Sequence, residues 1–510
     1  MSGAAPMRTF SVHAACIRGV EAFPVTVEVS MSGGIPNMTI IGKADNPVHE
    51  ARGRIRCALR SSGFEIPRGG ITVNLAPGDI RKTGTGLDLP IAIAVLAISG
   101  QIPLAGLDGC LFAGEVALDG RVNGVAGEVA YQLLARDMGL TFIGGESVSH
   151  VPLAGIDSGR LTALSRLRVG IKDAREPFQT LRAGGEPTLK LDFSDVVGQE
   201  IAKRGIAVAA TGDLGMLMVG SPGSGKTMLA RRMTTILPPI DETERQEALC
   251  IHSVAGEPTE TLLRGERPFR RPHHSSSTAG LIGGGRPVRP GEISLAHGGV
   301  LFLDELGEFS NNTLQTLRQP LEEGCVRLVR AEGAYVFPAR FRLLAASNPC
   351  PCGYLGDREI ACRCPPHAVE RYRAKLAGPL ADRIDLILDV CRPDPELIVE
   401  GSHGLTSAEL RAQVERGRAY RTWRERHFDC EAAKKREGTV DSAVAAFRLN
   451  DEGSRTLLDL ARRNRLTGRG IMRLCRIART VADMAECEHV GAEHMLEGAM
   501  LQGRRDDGRS

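Results

Sequence analysis

The sequence predicts an α/β protein in three parts: an α+β first domain, an α/β core on a buried parallel sheet, and an all-α C-terminal region. Three observations carry this. From Phe23 to about Leu181 short strand patterns interleave with helical spacing. Next, "GMLMVGSPGSGKTMLARRM" reads as strand, glycine-rich loop and helix. From Cys391 to Ser510 the pattern is almost wholly helical and rich in arginine.

The length of 510 residues is too great for one ordinary core, so two or three domains are expected. A net charge of only +3 excludes a globally basic nucleic-acid binder and leaves room for local patches. Aromatics at 4%, with one tryptophan, argue against strand binding by rows of stacking rings. "MSGAAPMRTFSVHAAC" lacks an apolar signal core, and "LPIAIAVLAISG" is too short to span a bilayer. Thirteen cysteines without a secretory context imply a reducing cytoplasm. Most of them (Cys57, Cys110, Cys250, Cys475) sit singly in apolar surroundings, as core packing does.

Along the chain, "PVTVEVS" and "ITVNLAP" read as strands, and "NPVHEARGRIRCALRSSG" as a helix stopped by glycine. "FAGEVALDGRV" reads as a hairpin around Asp119-Gly120. "RAGGEPTLK" is a polar, glycine-rich linker. The expected division is 1–181 for the first domain, 182–190 for the linker, 191–390 for the core and 391–510 for the helical region.

The loop Gly220-Ser221-Pro222-Gly223-Ser224-Gly225-Lys226-Thr227 fits G-x-x-x-x-G-K-[ST]. Its glycines let main-chain N–H groups wrap a phosphate at a helix N-terminus; Lys226 would reach the β/γ oxygens and Thr227 would hold Mg²⁺. In "GGVLFLDELGEF" four apolar residues form a strand ending in Asp304-Glu305. Asp304 would coordinate the magnesium, and Glu305 would orient and deprotonate the attacking water. These residues predict ATP hydrolysis. "RFRLLAASNP" adds a further core strand, whose tip carries Asn348 between the two motifs to bond the lytic water or the γ-phosphate.

Directly after Asn348, "CPCGYLGDREIACRC" places Cys350, Cys352, Cys362 and Cys364 in two Cys-x-Cys pairs. The spacing is tighter than in most structural zinc sites, yet four thiols around a glycine-bearing loop favour a metal over a disulfide in a reducing compartment. A packed thiol-only loop and a redox switch are the other readings.

"RPFRRPHHSSSTAGLIGGGRPVRPGEISLAHGGVLFLDELGEF", "LRQPLEEGCVRLVRAEGAYVFPARFRLLAASNPCPCG", "GPLADRIDL" and "LTGRGIMRLCRIARTVADM" together resemble the Mg-chelatase-related YifB/ComM group of the AAA+ superfamily. The resemblance covers essentially the whole chain. It implies a hexameric ring, with Arg383 as the finger reaching a neighbour's γ-phosphate, an element worth ~10³–10⁵-fold in rate. Arg469 matches the sensor arginine of the helical lid, with Arg473 one turn on as the fallback. Two segments would then face the central channel and touch DNA phosphates: the hairpin pattern with Arg327 and Arg330, turning at Glu332-Gly333, and the stretch with His273 and His274. The first domain resembles the Lon protease fold. The serine and lysine of that fold's dyad fall on Gly86 and Val129, so a non-proteolytic relative is expected. Arg81 and Lys82 could contact DNA or be structural.

The resemblance implies an ATP- and Mg²⁺-dependent motor acting on DNA, with a branch-migration or helicase-like role in recombination of incoming DNA during natural transformation. A magnesium-chelatase motor subunit and a protein-remodelling chaperone are the alternatives; the first domain speaks against the former. A homohexamer, DNA and no membrane are the expected partners.

Overall fold

A computed structural model describes residues 8–503 except 148–149, 152, 179–190, 332, 358, 377–379, 381–382, 394–395, 397–398, 400–403 and 430–442. The expected linker 182–190 and the turn residue Glu332 lie outside the described residues.

A long antiparallel pair, β1 (Arg8–Arg18) and β2 (Glu21–Ser32), founds the first domain and reverses at Gly19, whose φ of 71° suits glycine. On one side β2 pairs antiparallel with β4 (Gly70–Ala76), and β3 (Asn37–Ile41) joins β4 in parallel as the edge. On the other side β5 (Cys110–Phe112), β8 (Thr141–Gly144) and β9 (Ser158–Arg160) extend the sheet in parallel. The Asp119-Gly120 hairpin joins β6 (Glu115–Val116) to β7 (Val122–Asn123).

The long apolar run forms the helix Asp88–Ile98, buried on every side because it has no polar face. Asp88 at its start is buried and takes a forked pair of bonds from Arg54 at 2.7 and 2.9 Å. One expectation fails here. Cys57 is exposed: the helix Asn46–Ser61 buries Val48, Ala51, Ile55, Ala58 and Leu59, and position 57 falls off that stripe. For Lys82 the structure favours the structural alternative over DNA contact, since its side chain is buried and donates to the Pro77 carbonyl.

The core is a five-stranded, all-parallel sheet. Its order is β11 (Phe269–Arg270), β14 (Val300–Leu303), β17 (Arg342–Ser347), β10 (Met216–Val219), β18 (Leu386–Asp389). All four residues of β14 are buried, as expected for a strand covered on both faces. Two small antiparallel pairs project from this layer: β12 (Gly283–Gly284) with β13 (Arg289–Pro290), and β15 (Cys325–Arg330) with β16 (Gly333–Pro338).

The C-terminal region is helical, with Ser407–Arg424, Asp451–Arg463, Gly468–Met484 and Ala492–Gln502 as its main helices. Buried Asp483 neutralises Arg424 at 2.9 Å and Arg479 at 3.0 Å, which locks two of these helices together. Asp213 of the core ties in Arg418 at 3.0 Å and Arg342 at 2.7 Å. The first domain is docked rather than tethered. Val20, Val129, Ala130 and Val151 share one apolar cluster with Ile240, Leu249 and Leu301 of the core, and the Gly127 N–H donates to the Ser253 carbonyl at 3.0 Å. The architecture is therefore the expected α/β class with a parallel core sheet and a helical C-terminal region. Among the described residues, no helix is long and apolar enough to cross a membrane.

Candidate nucleotide site

All five core strands run the same way, so their C-terminal ends share one edge, where ligands of open α/β sheets bind. The glycine-rich loop leaves β10 at this edge. Gly220 must lack a side chain, because a Cβ there would lie 2.1 Å from the Val390 carbonyl oxygen as β18 passes. Gly223 and Gly225 take left-handed backbone angles (φ 80° and 90°), which curl the loop into the first turn of the helix Lys226–Ile236. Lys226 Nζ donates to the carbonyls of Gly220 at 2.6 Å and Ser221 at 2.9 Å, and lies 3.4 Å from Ser224 Oγ. Burial holds this ammonium below its ordinary pKa, while Asp304 and Glu305 pull the other way. The first N–H groups of a helix have no partner within it, so this N-terminus offers donors that suit an anion.

Strand β14 brings the acids to the same edge. Asp304 Oδ2 accepts from Thr227 Oγ1 at 2.9 Å and from Arg271 Nη2 at 2.6 Å. Glu305 sits in the left-handed region (φ 52°, ψ 51°), a conformation costing a non-glycine residue ~1 kcal/mol or more. Its carboxylate faces His274 Nδ1 at 3.5 Å.

Arg271 and His274 come to the acids through β11. It pairs in parallel with β14, Phe269 opposite Val300 and Arg270 opposite Leu301. Counting on in that register sets His273 and His274 level with Asp304 and Glu305. The histidines expected on a channel face thus stand at the sheet edge that carries Asp304 and Glu305, with their rings 4.1 Å apart. Sequence reasoning missed Arg271 as a partner of Asp304, because β11 is two residues long and gives no readable strand signal.

Strand β17 lies between β14 and β10, so Asn348, the first residue beyond it, stands between the two motifs. Its backbone is braced by Ser347 Oγ, which donates to the Asn348 carbonyl at 3.1 Å and shares a bond with Tyr372 Oη at 3.0 Å. The Tyr372 ring fills the space over Gly307, where a Cβ would come within 2.5 Å of it. Lys375, on the same helix Pro366–Leu376, donates to the Gly307 carbonyl. That helix therefore props both the turn after Glu305 and the strand end at Asn348, another contribution with no local signature.

The four cysteines converge. Cys350 Sγ lies 3.4 Å from Cys352 Sγ and 3.6 Å from Cys362 Sγ, Cys352 and Cys362 are 3.6 Å apart, and all four sulfurs fall within 4.8 Å of one another. A tetrahedral site with ~2.3 Å Zn–S bonds has edges of about 3.8 Å, so this donor set fits zinc. Main-chain N–H groups of Arg363 and Tyr354 pull Cys352 down to about 6. Within the cluster Cys364 moves the other way, raised by burial to about 12, as burial raises the lone cysteines Cys110 and Cys475 to about 11 and Cys250 to about 12.

The remaining candidates lie elsewhere. The Arg383 carbonyl backs onto Gly215, at the entry end of β10, about 13 Å of strand away from the glycine-rich loop. Its guanidinium pairs with Glu322. Arg469 is exposed on the first turn of Gly468–Met484, and Arg473, one turn on, is buried. Arg327 and Arg330 are exposed on β15. The partner strand β16 meets the first domain, Arg18 Nε donating to the Ala334 carbonyl at 3.2 Å. Gly86 offers no nucleophile, and a Cβ there would lie 3.1 Å from Tyr131 Oη. Val129 is spent on docking against the core.

The family described as magnesium chelatase, subunit ChlI, matches residues 192–397, that described as subunit ChlI of Mg-chelatase matches 27–143, and the ChlI C-terminal family matches 404–502. The chain is 38% identical over 495 residues to the uncharacterized protein YifB of Salmonella typhimurium, covering 95% of each chain. It is 37% identical over 500 residues to the competence protein ComM of Haemophilus influenzae, covering 95% of this chain and 96% of that one. The magnesium-chelatase 67 kDa subunit of Chlorobaculum parvum is 29% identical over 159 residues, 31% of this chain and 23% of its own.

Proposed function

The chain belongs to the YifB/ComM family of Mg-chelatase-related AAA+ proteins, and from that premise we propose that it is an ATP-hydrolysing ring motor that acts on DNA. The observation that carries the ATPase reading is the meeting of Lys226, Thr227, Asp304, Glu305 and Asn348 at one sheet edge, with Thr227 and Asp304 2.9 Å apart. Thr227 and Asp304 would hold magnesium, which when bound offsets charge on the β- and γ-phosphates. Gly223, Gly225 and the first residues of the following helix would present main-chain N–H groups to the phosphates, the Gly220 and Ser224 N–H groups being held by the Ser347 and Ser221 carbonyls, and Lys226 exchanges its loop carbonyls for phosphate oxygens. Glu305 takes the proton of the attacking water, and Asn348 orients that water. His274, within 3.5 Å of Glu305, sets the direction of its carboxylate.

Arg383 is assigned to a neighbouring subunit's site, which its distance from its own glycine-rich loop supports. Arg469, with Arg473 behind it, would report the nucleotide to the helical region. Arg327 and Arg330 would meet DNA phosphates, whose contacts carry affinity without sequence choice. The unit boundaries of this proposal are 1–181, 191–390 and 391–510, in a cytoplasmic homohexamer. The four cysteines would hold a structural zinc ion.

The match to ComM over nearly the full length of both chains favours a DNA substrate over a chelatase partner, whose match is partial. The first domain does not itself separate the two, because a ChlI family also spans 27–143. ATP turnover measured with DNA, unfolded polypeptide or porphyrin added in turn tests the proposal. Stimulation by DNA alone is expected; stimulation by polypeptide or porphyrin without any by DNA would overturn it.

A further inference from the structure

We propose that the cysteine loop is a metal-held strut of the phosphate loop, so that a bound zinc ion sets the affinity for ATP. This rests on the readings of the four thiols as a zinc site and of Gly220–Thr227 as a nucleotide site.

The strut meets the phosphate loop at two consecutive residues. Asp357, between the two cysteine pairs, has a side chain only 3% exposed; the neighbouring Ser221 hydroxyl is the largest influence holding its carboxyl below the usual carboxylate range, and Arg392 Nε lies 3.6 Å from its Oδ2. Asp357 also takes the N–H groups of Glu359 and Ile360 at 3.1 Å each, so its carboxylate is aimed by its own loop. Gly353, at φ 87°, lies flat against Pro222; a Cβ there would approach Pro222 Cδ to 2.8 Å. Ser221 and Pro222 are the second and third residues of the phosphate loop.

Nothing regular holds the cysteine loop in this position. Between Asn348 and Pro365 the described residues form turns and bends without helix or strand. Besides its own hydrogen bonds the loop is tied by Arg392, which lies 3.6 Å from both Asp357 and Glu359 and 5.7 Å over the Tyr354 ring, and ordering the chain costs more entropy than such weak contacts return. Four sulfur–metal bonds would supply the difference, as in small domains whose fold depends on zinc. The anchor points are also telling. Cys350 follows Asn348 by two residues, and Cys364 precedes by two the helix Pro366–Leu376 that props Gly307 and Ser347. One ion would thus tie the water-orienting asparagine, the phosphate loop and the turn after Glu305 to a single point.

The test begins with metal analysis of the full chain purified without chelator, where one zinc per chain is expected. Zinc is then stripped with an organomercurial and chelator, and the affinity for a fluorescent ATP analogue is measured before stripping, after it, and after zinc is restored. About a tenfold loss of affinity is expected, reversed by zinc. Asp357→Ala leaves the four ligands intact, so it should keep its zinc and still lose about tenfold in affinity; retained zinc also reports that the loop has folded. Protein that purifies without zinc would overturn the metal reading and the strut with it. Zinc-bound protein whose nucleotide affinity is unchanged by both stripping and Asp357→Ala would overturn the strut alone.

Discussion

Replacing Arg271 with alanine should lower the magnesium concentration that half-saturates ATP turnover. The guanidinium lies 2.6 Å from Asp304 Oδ2, the same oxygen that accepts from Thr227, so it competes for a carboxylate that the metal needs. Arg271 is 47% exposed and Asp304 17% exposed. Half-exposed ion pairs contribute about 0.2–1 kcal/mol, and the short distance and sheltered acid place this pair near 1 kcal/mol. Releasing that restraint corresponds to about a fivefold lower half-saturating magnesium concentration, with kcat at saturating metal little changed. The assay is steady-state ATP turnover at saturating ATP across a magnesium titration, repeated at high salt, where screening should shrink the difference. Arg271→Lys, which keeps the charge, should fall between wild type and alanine. An unchanged magnesium dependence, or a hundredfold loss of kcat at every magnesium concentration, would refute the reasoning; the second would mean that Arg271 stabilises charge in the transition state.

Lys226→Ala should abolish nucleotide binding, whereas Glu305→Gln should bind nucleotide and stop turnover; equal ATP affinity in wild type and the Lys226 variant would sink the assignment. Arg383→Ala should lose hydrolysis yet recover it when mixed with a Lys226 variant, because a mixed ring can hold one intact site; no recovery in rings shown to be mixed would remove Arg383 from that role. Stability should fall as pH drops below about 6.5. His297 Nδ1 accepts the Arg340 N–H at 3.1 Å and its Nε2 meets Glu247 at 2.8 Å, and burial depresses its pKa, as it does that of His252. The unfolded chain therefore binds protons that the fold refuses, at up to about 1.4 kcal/mol per histidine per pH unit. His297→Gln should flatten the fall in melting temperature between pH 7 and 5.5, and an unaltered slope would count against it.

Contiguous features were legible in the sequence because their physics is local. The glycine-rich loop needs its glycines, lysine and threonine within eight residues, since one strand end and one helix start must close around a phosphate. The apolar run before Asp304 needs only four buried side chains in a row, and β14 has them. The two Cys-x-Cys pairs share one loop and were visible as a cluster, although which sulfurs meet depends on how that loop closes. Chain periodicity was also enough to separate a mixed first domain, a parallel core and a helical end. It failed where one residue's phase within a helix decided exposure, as at Cys57.

What only the tertiary structure decided are pairings across long separations. Arg271 reaches Asp304 over 33 residues because β11 and β14 happen to be adjacent and parallel, and a two-residue strand leaves no periodic trace. The Tyr372 prop, the Asp357 tie to Ser221, the Lys82 burial and the docking of Val129 onto the core likewise depend on which surfaces meet. Sequence by itself determined the chemistry that each segment can offer, because side-chain identity and local backbone preference are properties of neighbours in the chain. Which of those groups face one another was settled by burial of apolar surface, which is indifferent to chain distance and so leaves no local mark.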